Sequence, residues 1–290
     1  MSDPHILGTP LEQTELEIGS KSQERSLLDE LLSKSKLYKS SADFQALLDF
    51  TVRLRNMAPF NAMLLQIQKP GLNYAASEKD WKTRFNRATT ENARPLLIMW
   101  PFAPVALVYD VLDTEGDPIP KNAFAFYATG KIDKHRMNRF NELLDAKSIS
   151  VELVDQGDRS AGLIRRENHA TDKKKFSKYA VQMNQNHDAP MRFVTLAHEL
   201  AHLFLGHLGD DPKLRVRGRR PDYRVREIEA ESVAYIVCKR NEVDPESQSY
   251  LSNFVKNDED SEQLDIYSIT RAAGHIEQIL HLSTGMKWRD

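Results

Sequence analysis

Cysteine is almost missing from this chain of 290 residues, where Cys238 stands alone. One thiol cannot form a disulfide framework, which excludes the stapled secreted classes and suits a reducing cytoplasm. No pattern supports a cysteine nucleophile either, and Cys238 beside Val237 reads as a small buried hydrophobe. Long apolar runs are lacking too. Stretches such as Leu96 to Trp100 fall far short of the roughly 20 residues that cross a bilayer, so no membrane role is expected. Met1 to Gly19 is polar and acidic, without an apolar segment behind a basic start, and is not expected to act as a secretory signal. There is no internal repeat or low-complexity tract. Neither charge dominates: 40 Lys and Arg face 42 Asp and Glu, for a net charge of −2.

What the chain does contain is concentrated around residue 200. Ala197-His198-Glu199-Leu200-Ala201-His202-Leu203-Phe204-Leu205-Gly206-His207 puts two imidazoles one helical turn apart with a carboxylate next to the first. Residues four apart share a helix face, so both rings can reach one zinc ion. Glu199 lies about 100° further round, placed to act on a water without ligating the metal. Pro190 suits the first turn of such a helix and Gly206 the position just past its end. Phe193, Val194, Ala197, Leu200, Ala201, Leu203 and Phe204 give it a broad apolar surface, so the histidines would be withdrawn from bulk water. A buried Glu beside two His costs several kcal/mol unless something pairs it, which weighs against a purely structural role.

A second helical stretch runs from Arg226 to Val237, with Glu227, Glu231 and Tyr235 spaced four apart on one face. Crossed under the first helix, that face would supply a third ligand and leave the fourth position to water. Glu229 points about 160° away from the Glu231 side and is the weakest ligand candidate. Position 208 is Leu208, so the third His of a metzincin-type site is missing. The chemistry implied is hydrolysis with Zn2+ as cofactor and Glu199 as general base. Tyr235, Tyr223 and His207 are the candidate donors to an oxyanion.

These two motifs together, His198-Glu199-x-x-His202 with Gly206-His207 and then Glu227-x-Glu229-Ala230-Glu231-x-x-Ala234, resemble the ImmA/IrrE group of metallo-endopeptidases. They are also similar to the peptidase half of ArdC-type antirestriction proteins. The resemblance implies Glu227 as the zinc ligand and Glu231 as its support. In the group an Asp or Asn stands at the latter place, so whether Glu227 or Glu231 holds the metal stays open at this point. It further implies an endopeptidase of narrow specificity whose partner is a protein substrate such as a transcriptional repressor.

Along the rest of the chain, residues 1–22 carry no periodicity and read as disordered. Leu27, Leu28, Leu31 and Leu32 mark a helix; a second begins near Ala42 with Ser40 as cap, and a third runs from Phe60 to before Pro70-Gly71. Beyond Trp81 the apolar runs 96–100, 105–111 and 123–127 predict strands, with a turn at Glu115-Gly116-Asp117-Pro118. Helix 136–144, strands near 151–154, 163–164 and 179–183 (the last as an edge strand) and helix 266–282 complete the reading. His275 and His281 in that tail read as packing or surface residues, not ligands. Residues 40 to 130 resemble the ssDNA-binding-like domain of ArdC-type proteins through Phe60-Asn61-Ala62, Leu64-Leu65 and Trp81, which implies single-stranded DNA as a second partner; Trp81, Trp100 and Phe102 could stack on bases. Two basic clusters flank the zinc motifs, one at Arg165, Arg166 and Lys173 to Lys178, the other from Lys213 to Arg226. Each suits phosphates or an acidic protein. The expected architecture is α+β: a zincin-like, gluzincin-type peptidase domain at 131–290, preceded by a smaller α+β domain at 23–130.

Overall fold

The computed structural model describes residues 41–54, 56–99, 105–119, 132–155, 162–168, 177–245 and 263–282. The expectations for residues 1–22, 27–32 and 123–127, for Ser40, Trp100, Phe102 and Lys173 to Lys175, and for a boundary at 130/131 lie outside them.

The described residues form a mixed α+β structure. Helices α1 (Ser41–Arg53) and α2 (Pro59–Gln68) follow their apolar spacing, and Pro59 opens α2 where a missing N–H costs nothing. Strands β1 (Ala75–Ala76), β3 (Leu96–Ile98) and β4 (Ala106–Asp110) make an antiparallel sheet in the order β1-β4-β3. Between them lies α3 (Glu78–Phe85), a helix that the apolar spacing did not mark. Its one buried residue is Trp81, too little periodicity to signal a helix, and the turn forms because the Ser77 side chain caps the Asp80 N–H. The turn read at 115–118 is partly strand, since β5 (Thr114–Gly116) pairs with β2 (Arg87–Thr89). Trp81 is fully buried, edge-on to Tyr74, and donates its indole N–H to the Tyr109 carbonyl. Its ring fills a core and has no face left for a base.

The second half holds α4 (Lys134–Asp145), β6 (Ile149–Val154), β7 (Gly162–Asn168), β8 (Lys178–Asn184), α5 (Ala189–Phe204), α6 (Tyr223–Arg240) and α7 (Ile266–Ile279). The sheet order is β6-β8-β7, with β8 parallel to β6 and antiparallel to β7. The segment 179–183, read as an edge strand, is therefore the centre of its sheet. Tyr179, Ala180, Val181 and Met183 are all buried, the run of a strand covered on both faces rather than the alternation of a half-exposed one. The outer strand that packs on α5 is β7.

One hydrophobic cluster gathers Phe44, Leu47 and Leu48 of α1, Met63 and Leu64 of α2, the inner face of the sheet, and the buried sides of α4 to α7. Polar anchorage comes from Arg240 in the last turn of α6. Its Nε donates to Glu277 Oε1 on α7 at 2.6 Å, and its other nitrogens donate to the carbonyls of Thr51 at 2.9 Å and Met57 at 3.0 Å. Among the described residues no helix is long and apolar enough to cross a membrane.

Candidate metal centre

Helix α5 begins where Asp188 accepts the Met191 N–H at 2.9 Å, with Pro190 in the first turn. Phe193, Leu196, Ala197, Leu200, Ala201 and Leu203 are wholly buried, which fixes the rotation of the helix and sends His198 and His202 to its remaining face. Helix α6 starts in the same way, Asp222 capping the Val225 N–H, and brings Glu227 in on its first turns.

The two helices cross so that His198 Nε2 and His202 Nε2 are 3.2 Å apart. Glu227 Oε2 lies 3.6 Å from the first and Glu227 Oε1 3.7 Å from the second. A tetrahedral ion bonded at about 2.0–2.1 Å holds its donors about 3.3–3.4 Å apart, so the three groups stand near the corners such an ion requires. His198, His202 and Glu227 can hold a metal ion. Glu231 sits on the other side of His198, its Oε1 3.2 Å from Nδ1 but out of line for a hydrogen bond. The geometry thus groups Glu227 with the two Nε2 atoms and leaves Glu231 behind the ring.

The site favours positive charge. Burial works against a proton on His198, yet its contacts with Glu227 and Glu231, reinforced by Glu199, carry its pKa up to about 10. The His198 contact in turn holds Glu227 below the usual carboxylate range against the opposing effect of burial. His202 is driven far down, first by burial and then by the charge on His198, and stays neutral. Burial raises Glu199, opposed by His198 and by the backbone N–H of Ile164 in β7. Gly162 lets β7 come this close: a Cβ there would run into the Thr195 methyl, 2.8 Å from the Gln182 carbonyl.

Residues 160–238 match the family model Peptidase_M78, described as the IrrE N-terminal-like domain. The likeness to the ImmA/IrrE group read from the two motifs holds over this stretch, which takes in β7, β8, α5 and nearly all of α6. No curated protein matches the chain. Two solved structures are similar to it, both of the antirestriction protein ArdC from the R388 plasmid. The Mn(II)-bound form is 16% identical, with 79% of this chain and 85% of that one covered and a TM-score of 0.38. The metal-free form is also 16% identical, covering 77% and 82%, with a TM-score of 0.34.

The IrrE-like stretch carries a buried polar line that the sequence did not announce. Helix α5 ends in a Schellman turn: Gly206 N–H donates to the Leu203 carbonyl at 3.0 Å and His207 N–H to the His202 carbonyl at 3.0 Å. That turn folds His207 back under His202, where their Nδ1 atoms are 2.9 Å apart. His207 Nε2 lies 3.2 Å from Glu229 Oε2. Glu229, fully buried, accepts two N–H groups of Arg219 at 3.0 Å each and the Asp265 backbone N–H at 3.0 Å. Both ring nitrogens of His207 are therefore engaged, and it is not placed as an oxyanion donor. Tyr235 is turned the same way from that role, its hydroxyl donating to Asp49 of α1 at 2.8 Å. Tyr223 is three-quarters exposed at the start of α6. A signal for Glu229 was present: a carboxylate between Ile228 and Ala230, on the side of the helix away from Glu231, must find a partner if that side is buried.

The basic clusters divide. Arg219 serves Glu229, and Arg166 turns inward to the carbonyls of Leu208 and Asp210 and to Ser177. Lys213, Arg215, Arg217 and Arg220 are exposed on the loop that joins α5 to α6. Cys238 is buried, as its apolar setting foretold.

Proposed function

We propose that this protein is a zinc-dependent endopeptidase with a zincin-like, gluzincin-type peptidase unit. The observation that carries the reading is the convergence of His198, His202 and Glu227 with the buried Glu199 beside them. His198 Nε2, His202 Nε2 and the Glu227 carboxylate would hold the ion, and two imidazoles with one carboxylate is a donor set that suits zinc. When bound, the ion supplies acidification of water and polarisation of a carbonyl. Glu199, its pKa raised by burial, is suited to accept a proton from water near neutral pH and pass it to the leaving amine. Strand β7 lies beside Glu199 with one edge turned away from β8, so an extended substrate can pair along it. The exposed Arg215, Arg217 and Arg220 favour an acidic stretch in that substrate. A transcriptional repressor as substrate follows from the ImmA/IrrE likeness.

The test is to incubate metal-loaded protein and its Glu199→Gln form with soluble host proteins and map the new termini. Specific cuts by the unmutated protein alone are expected, with one equivalent of zinc in both. Equal cutting by Glu199→Gln, or no cut by either, would overturn the reading.

A further inference from the structure

We propose that His207 and Glu229 are positioning residues that lock His202 in the tautomer whose Nε2 lone pair faces His198 and Glu227. The inference deepens the proposed function and rests on its assignment of His202 as a ligand.

The argument is one of donors and acceptors, read inward from Arg219. A carboxylate holding two guanidinium N–H groups and a backbone N–H offers only acceptor oxygens, so His207 must donate to it through Nε2–H. Two Nδ1 atoms 2.9 Å apart need one donor and one acceptor, and with the His207 hydrogen given to Glu229 through Nε2 the His207 Nδ1 is the acceptor. At 2.9 Å from that atom, His202 Nδ1 must carry the hydrogen. With its hydrogen on Nδ1, His202 leaves Nε2, 3.2 Å from His198 Nε2, with its lone pair toward the cluster. Metal-binding histidines commonly donate their second nitrogen to a carboxylate; here a second imidazole is interposed, delivered by the Schellman turn at Gly206. The line then runs on to the N-terminus of α7 through Asp265. The side chains of His207 and Glu229 are wholly withdrawn from solvent, so water cannot substitute for either.

The experiment uses the full chain labelled with 15N-histidine. Long-range 1H–15N spectra of the metal-free protein read the His202 tautomer, and competition with a chromophoric chelator reads zinc affinity in the unmutated protein, His207→Leu and His207→Asn. We expect the Nδ1–H tautomer at His202. We also expect zinc binding weakened about 10- to 100-fold in His207→Leu and largely restored in His207→Asn, whose Oδ1 can accept in place of Nδ1. An Nε2–H tautomer in the unmutated protein overturns the proposal, as does equal zinc affinity in the leucine and asparagine variants. Should His207→Leu fail to fold, the unmutated spectrum and the asparagine variant decide. Zinc binding without any hydrolysis would sink the peptidase reading while leaving this inference supported by the affinities. Failure of the unmutated protein to bind zinc would overturn both.

Discussion

Gly206 holds a backbone φ of +80°, and a Cβ placed on it would collide with the Arg217 carbonyl oxygen. It is the hinge on which His207 swings under His202, so its lack of a side chain reaches directly into the metal centre. Gly206→Ala is expected to cost about 1–3 kcal/mol of stability, read from the shift in a urea midpoint, because strain and displacement of the 206–219 loop add. A second residue-scale effect concerns His275, which stacks edge-on against Phe204 of α5. Burial, with the charges of Arg271 and Arg215, pushes its pKa down to about 4. The unfolded chain, with an ordinary imidazole, binds the extra proton first, so folding stability is full above about pH 6.5 and falls as pH drops toward 4. His275→Phe keeps the ring contact and removes the titration. Its stability relative to the unmutated protein should therefore rise by on the order of 2–3 kcal/mol between pH 7 and pH 4, measured by denaturant titration at both pH values.

At the scale of elements, α6 works at both ends: Glu227 at its start faces the histidines, and Arg240 at its finish grips Glu277 and the carbonyls of residues 51 and 57. Arg240→Met strands a buried Glu277 and frees those carbonyls, so a loss of about 3–5 kcal/mol is expected in thermal or urea unfolding. Glu277→Gln should lose less, since its amide oxygen still accepts. How far these elements were legible depends on where their cause lies. Helix α5 could be read because its first-turn Pro190, its apolar spacing and the closing Gly206 all lie on it or beside it in the chain. The pairing of Glu227 rather than Glu231 with both Nε2 atoms could not, because it depends on how two helices cross. The Glu229 line joins residues 207, 219, 229 and 265, and no periodicity in the chain links them. The central place of β8 was hidden for a like reason: its parallel neighbour, β6, comes some thirty residues earlier, and only pairing reveals which edge is covered.

For the whole molecule, an ion held by His198, His202 and Glu227 would be a cross-link between α5 and α6, the two helices at the heart of the main core. Saturation at about a thousand times the dissociation constant adds about 4 kcal/mol to folding. Stripping metal with a chelator is therefore expected to lower the melting temperature by roughly 8 °C, given about 2 °C per kcal/mol for a chain of this size. His202→Ala should melt at the same temperature with or without chelator, as scanning fluorimetry would show. The first two helices share this core, and the stretch that matches the IrrE-like family stops just before Arg240, the residue that fastens α6 to them. A fragment trimmed to the matched stretch would thus lose both its roof and its rivet. Helices α1 and α2 are masonry of the half that carries His198, His202 and Glu227, and any recombination of the protein with its relatives must carry the two across together.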